Sequence, residues 1–112
     1  MKLDLLMMIA YFRREHPKEC FYCGSQLGDA RECEKYPNLM RLTRDHVVPK
    51  VNGGAALRMK RNVVPACPPC NFTKGADSLE QFRRKHLPKH KEFFGERMFR
   101  LHGRRVEGLH KV

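Results

Sequence analysis

Four cysteines in two pairs offer the most direct chemistry in this 112-residue chain. Two residues separate Cys20 from Cys23, and two separate Cys67 from Cys70. Thiolates at that spacing can grip a tetrahedral ion from a tight turn. Two such turns close a four-sulfur shell with no open position, which is the structural rather than the catalytic arrangement. The pairs therefore predict one structural Zn2+ per chain, with Gly24 and Pro68-Pro69 shaping the turns. Cys33 is left over: an exposed thiol and an unusual ligand are alternatives, but a closed shell makes it most simply a buried apolar side chain.

Between and just after the pairs stand Asp45-His46, Asn62 and Asn71. His46 brings an imidazole, a group whose charge changes near neutral pH and which is suited to accept a proton. Asp45 and Asn71 bring two hard oxygen ligands and leave room for waters and a substrate oxygen, a set that favours Mg2+ or Mn2+. Lys74 follows Asn71 by one helical turn and Arg44 directly precedes Asp45, so each could reach a phosphate nearby. For both, the alternative is a solvated charge. Each of these residues taken singly has a bland reading as a turn, cap or surface group. Their order and spacing as a set do not.

That set is Thr43-Arg44-Asp45-His46-Val47-Val48-Pro49, then Gly53-Gly54, then Asn62, then Cys70-Asn71-Phe72-Thr73-Lys74-Gly75. It resembles the HNH endonuclease family, in the branch whose ββα-metal motif is bracketed by two zinc-binding cysteine pairs. The resemblance covers about residues 20–75. It implies a metal-dependent DNA endonuclease in which Asp45 and Asn71 hold the catalytic divalent metal, His46 is the general base, and Asn62 braces the loop that orients the base. It also implies a one-metal hydrolysis that leaves a 5′-phosphate and a 3′-hydroxyl. Asn71 stands where the family name has its last His, and its harder amide oxygen favours Mg2+. Small family members are common in phages and bacterial mobile elements, which suggests a cytoplasmic protein of a bacterial or phage-infected cell.

The formal net charge of +11 fits a polyanionic partner, most often nucleic acid, and the resemblance implies that this partner is double-stranded DNA. The excess is spread along the chain: residues 1–71 carry net +5 and residues 72–112 net +6. Arg83-Arg84-Lys85, with Lys89, Lys91, Arg97, Arg100 and Arg104-Arg105, can contact phosphates without reading sequence. A solvated basic surface is the alternative. The apolar run from Leu3 to Phe12 is broken by Asp4, too short to span a membrane, and unlike a leader in its charge order. An odd cysteine count fits a reducing compartment.

The elements that must position these residues follow from local signals. Residues 4–16 read as a helix with Leu5, Met8, Ile9 and Phe12 on one face and Pro17 at its end. Residues 25–40 read as irregular, 41–48 and 62–65 as short strands, and 50–61 as a loop. A helix is expected from about Asn71, kept short by Gly75. Ser78 with Gln81 forms a capping box for the next helix, which Pro88 limits. A last helix is expected over 89–102, with Phe93, Phe94, Met98 and Leu101 as contacts. His86 and His90 have ligand spacing, but Pro88 between them argues against a second metal site. His16, His102 and His110 read as surface residues.

The expected architecture is α+β: one domain over 1–112, with an N-terminal helix (1–19), a zinc-stapled ββα-metal core (20–75) and a basic helical region (76–112). A lone domain with one site most simply nicks DNA as a monomer, and a weak homodimer would allow double-strand cutting. The rival reading is a non-catalytic zinc-ribbon module that binds nucleic acid. It explains the cysteines and the charge but not the placement of Asp45, His46, Asn62 and Asn71.

Overall fold

A computed structural model describes residues 3–49, 62–89 and 91–103. The expected loop over 50–61, His90, His110 and Arg104-Arg105 lie outside the described residues. Helix α1 (Leu3–Glu15) has Asp4 in its first turn and Arg13 and Arg14 in its last, each sign matched to the helix dipole. Met8, Ile9, Tyr11 and Phe12 bury its inner face. It ends before Pro17, because the residue preceding a proline is disfavoured in the helical region.

The chain then turns at Cys20–Cys23, where Gly24 N–H returns to the Cys20 carbonyl at 2.8 Å. Gly24 has φ +80°, and the Phe94 ring lies where a side chain would stand. Residues 25–40, expected to be irregular, instead hold strand β1 (Leu27–Gly28), helix α2 (Ala30–Lys35) and strand β2 (Met40–Arg41). The two strands pair in parallel. Asp29 caps α2 by accepting from Glu32 N–H at 2.8 Å, and Glu32 accepts from Asp29 N–H at 3.1 Å. Asp29, within the stretch expected to be irregular, is thus the cap of a helix.

Strands β3 (Thr43–His46) and β4 (Val63–Ala66) form an antiparallel ladder that pairs Asp45 with Val64 and His46 with Val63. Val47 N–H donates to the Asn62 carbonyl at 2.9 Å. Bonded pairs alternate along such a ladder, so Arg44 opposite Pro65 is an open pair. Pro65 therefore sits in a strand without breaking a bond. Its carbonyl accepts from Phe21 N–H at 2.9 Å, which ties the ladder to the first cysteine turn.

Helix α3 (Pro68–Lys74) starts three residues earlier than expected. Prolines are tolerated in a first turn, where their missing N–H would have no partner anyway. Gly75 closes it at φ +49°. Helix α4 (Leu79–His86) has the expected Ser78–Gln81 capping box, buries Phe82 and ends before Pro88. The last helix is much shorter than expected: α5 spans Phe94–Met98 and continues as one π-helical turn over Phe99–Gly103. Its start is set by the cysteine turn, since Phe94 N–H donates to the Tyr22 carbonyl at 3.1 Å and Gly95 N–H to the Phe21 carbonyl at 2.7 Å. Leu101, expected to be an apolar contact, is 42% exposed.

One aromatic cluster joins these pieces. Phe12 meets Phe21 edge-on at 5.2 Å, and Tyr22 meets Phe82 and Phe93 edge-on at 5.3 Å each. His16 stacks on Phe12 at 5.1 Å and bonds Glu19, so it is a half-buried member of this cluster and not a surface residue. Among the described residues no helix is long and apolar enough to cross a membrane.

The seat of α5 gives a sharp test. A Cβ at Gly95 would stand 2.1 Å from the Phe21 ring. Gly95→Ala is expected to cost about 1–3 kcal/mol through overpacking. The urea midpoint should fall, and limited proteolysis should open the chain after residue 87.

Candidate active site

The sulfurs of Cys20, Cys23, Cys67 and Cys70 lie within 4.8 Å of one another. Cys23 and Cys67 are 3.7 Å apart. A tetrahedral shell with zinc–sulfur bonds of about 2.3 Å has edges of about 3.8 Å, so the cluster is sized for such an ion. Cys20 and Cys67 are buried, Cys70 half-buried and Cys23 exposed. The thiols cannot share negative charge unaided. Hydrogen bonding from Cys70 lowers Cys20 to about 5. Burial then raises Cys67 to about 11, and Cys70 is pushed up chiefly by its bond to Cys20. One thiolate forms readily and opposes the next, so four thiolates call for a cation, and the group can hold a metal such as zinc. Cys33 is outside the cluster, half-buried, with its thiol 3.5 Å from the Gly28 carbonyl.

The second feature is an open cleft of about 290 Å³ where β3 ends against α3, lined by Arg44, Asp45, His46, Pro49, Asn71 and Gly75. Successive side chains of a strand point to opposite faces. Asp45 and His46 nevertheless border the same cleft because β3 stops at His46. The turn beyond is held by Asn62, which is fully buried. Its Oδ1 accepts from Val48 N–H at 2.9 Å and its Nδ2 donates to the Val48 carbonyl at 2.7 Å. Both bonds grip the backbone two residues after His46.

Asn71 is oriented by what it donates. Its Nδ2 bonds Thr43 Oγ1 at 3.0 Å and the Arg44 carbonyl at 3.1 Å. A carbonyl can only accept, so the amide is fixed with its oxygen on the other side. Asp45 is buried, and its Oδ2 accepts from Tyr22 O–H and lies 3.2 Å from Lys74 Nζ. Burial, then the Asp45 charge, raises the Tyr22 phenol well above its usual value, so it acts as a donor.

Lys74 is where the sequence expectation fails. Expected to meet phosphate, its side chain is 0% exposed. Its ammonium donates to the His46 carbonyl at 2.9 Å and pairs with Asp45. The helical spacing from Asn71 was right, but it aims Lys74 at β3 rather than at solvent. Tyr22 was missed altogether, because a tyrosine inside a cysteine turn carries no sequence signal for a partner 23 residues away.

Arg44 is exposed at the rim of the cleft. The basic run on α4 lies outside it. Arg83 is half-buried and pairs with Glu96, and Lys85 pairs with Asp77 at 3.1 Å, so neither is a free cation. Arg84 is exposed and has no ion pair among the described residues.

The HNH endonuclease family matches residues 20–77 of the chain, more than half of its 112 residues. The chain belongs to the HNH endonuclease family. The match begins at the first cysteine pair and ends beyond α3, so the HNH region takes in both pairs, the β3–β4 ladder and the cleft. No curated protein and no solved structure matches the chain. HNH membership implies a nuclease that acts on DNA.

Metal content and the stability of two variants test this geometry. Elemental analysis of purified protein is expected to find about one tightly held ion per chain, and Cys67→Ala should be largely unfolded, as small metal-closed domains are without their ion. Asn62→Ala leaves the half-buried Val48 backbone groups without their Asn62 partners and should cost about 1–3 kcal/mol, read from the urea midpoint.

Proposed function

We propose that this HNH protein is a metal-dependent DNA endonuclease that hydrolyses phosphodiester bonds with one catalytic cation. It nicks duplex DNA and leaves a 5′-phosphate and a 3′-hydroxyl. The observation that carries this reading is the shared cleft: an imidazole, a carboxylate, an amide oxygen and an exposed guanidinium border one opening.

In this mechanism His46 takes a proton from a water positioned against the phosphorus. The water oxygen bonds phosphorus as the bond to the 3′ oxygen breaks, and solvent protonates the leaving oxygen. Asp45 and Asn71 would hold the divalent ion. Bound there, it supplies charge stabilisation at the phosphate and the 3′ oxygen. Asn62 keeps the turn after His46 in place through its paired bonds to Val48. Arg44 contacts a flanking phosphate, where it adds affinity without sequence information. Arg84 and other exposed cations carry the rest of the backbone contact.

The four-cysteine ion is zinc in this reading and takes no part in the chemistry. The cleft cation is Mg2+ or Mn2+, since both ligand atoms are hard oxygens. The protein works on DNA in the cytoplasm of a bacterial or phage-infected cell, as a monomer or weak dimer.

Supercoiled plasmid provides the test. Zinc-loaded protein with Mg2+ or Mn2+ is expected to build up open circles before linear DNA, with 3′-hydroxyl ends that a polymerase extends directly. His46→Ala should slow nicking about 10²–10⁴-fold, the usual worth of a general base. No cleavage in Mg2+, Mn2+, Ni2+ or Zn2+ would defeat the endonuclease reading. Best activity in Ni2+ or Zn2+ would defeat the assignment of a hard-oxygen site.

A further inference from the structure

Lys74 and Tyr22 have no part in the reaction just described, yet both converge on one atom of it. Tyr22 O–H donates to Asp45 Oδ2, and Lys74 Nζ lies 3.2 Å from the same oxygen. Lys74 is completely buried and Asp45 nearly so, with side-chain exposures of 0% and 7%. Removing an ammonium from water is costly unless its geometry and partners are good. A lysine that served only as a cation would have stayed in solvent.

The surrounding bonds show what the burial achieves. Asn71 and Lys74 stand one turn apart on α3 and reach the same strand. Asn71 takes the carbonyl of Arg44 and Lys74 the carbonyl of His46. These flank Asp45 and lie on the open edge of a two-stranded ladder. The helix thus holds the backbone on both sides of Asp45 and, through Lys74, the carboxylate as well. Tyr22 approaches that carboxylate from the first cysteine turn.

We propose that Lys74 and Tyr22 are positioning residues that commit Asp45 Oδ2, so that Oδ1 is the only carboxylate oxygen offered to the catalytic cation. This rests on the assignment of Asp45 as a ligand under the proposed function. Two consequences follow from the chemistry. Ligation by one oxygen cannot become two-toothed, which keeps coordination positions for water and phosphate. The Lys74 charge also offsets that of Asp45, so the cation is held loosely and in one orientation.

The test compares Mn2+ binding, followed by electron paramagnetic resonance on zinc-loaded full-length chain, with turnover at saturating Mn2+. Lys74→Met is expected to bind Mn2+ about threefold or more tighter, because a neighbouring positive charge is gone. Its turnover should nonetheless fall about tenfold or more, the scale that a misplaced reacting group costs. Tyr22→Phe keeps its ring in the core and should lose turnover in the same direction without weaker Mn2+ binding. It decides the matter alone if Lys74→Met does not fold. Turnover within about twofold of wild type, or Mn2+ binding that weakens in step with activity, overturns the inference. Asp45→Ala must abolish Mn2+ binding in the cleft, and if it does not, the inference is again overturned. A wild type that binds Mn2+ through Asp45 but cuts no DNA defeats the endonuclease reading alone, and the binding comparison still decides the positioning role.

Discussion

Four sulfurs confined within 4.8 Å are the constraint on which the rest of this structure depends. They join a turn at residue 20 to a helix start at residue 67 and so close a loop of nearly half the chain. The loop holds the β3–β4 ladder and the cleft borne on it. A chain of 112 residues buries a modest core, and a cross-link replaces much of what a larger core would supply. The sulfur cluster also sets distances. Cys67 caps α3 and Cys70 precedes Asn71 within it, so the helix carrying one side of the cleft is anchored at the cluster. The strand carrying the other side, β3, pairs with β4, and β4 is held to the first cysteine turn through the Pro65–Phe21 bond.

The cleft is made from the loose end of a minimal sheet. A two-stranded ladder leaves half of the β3 backbone groups facing outward, and buried polar groups need partners. Here α3 supplies them from side chains, Asn71 and Lys74, in place of a third strand. The same two bonds settle where the helix lies on the strand. Backbone satisfaction and site geometry are one arrangement, and the buried ion pair of Lys74 with Asp45 belongs to both. Removing one partner of such a pair typically costs about 3–5 kcal/mol, because the other is left as an uncompensated buried charge.

What could be read in advance was what depends on short-range pattern. The cysteine spacing, the Ser78–Gln81 capping box and the apolar face of α1 each announce themselves within a few residues. The Asp29–Glu32 box was equally local, but two-residue strands on either side of α2 carry too little periodicity to show that a unit is present. The boundaries of α3 and α5 were missed for opposite reasons. Proline can open a helix as well as stop one, and α5 begins where the cysteine turn receives its amides, a contact more than 70 residues away in sequence. Residue types singled out Arg44, Asp45, His46 and Asn71, which border one cleft, while Lys74 shows the limit of that reasoning. Helical spacing gives the face of a side chain but not whether solvent or a strand lies beyond it. Tyr22 could be found only from the fold.

The seating of α5 on the first cysteine turn has a reach beyond packing. Its first amides rest on the carbonyls of Phe21 and Tyr22, and Gly95 exists where it does so that the Phe21 ring can lie flush against the helix. Those two carbonyls sit between the sulfurs of Cys20 and Cys23. The segment from Phe94 to Gly103 is therefore built on the turn that carries two of the four sulfurs, so a change in the path of that turn would shift the seat of α5 as well as the sulfur cluster.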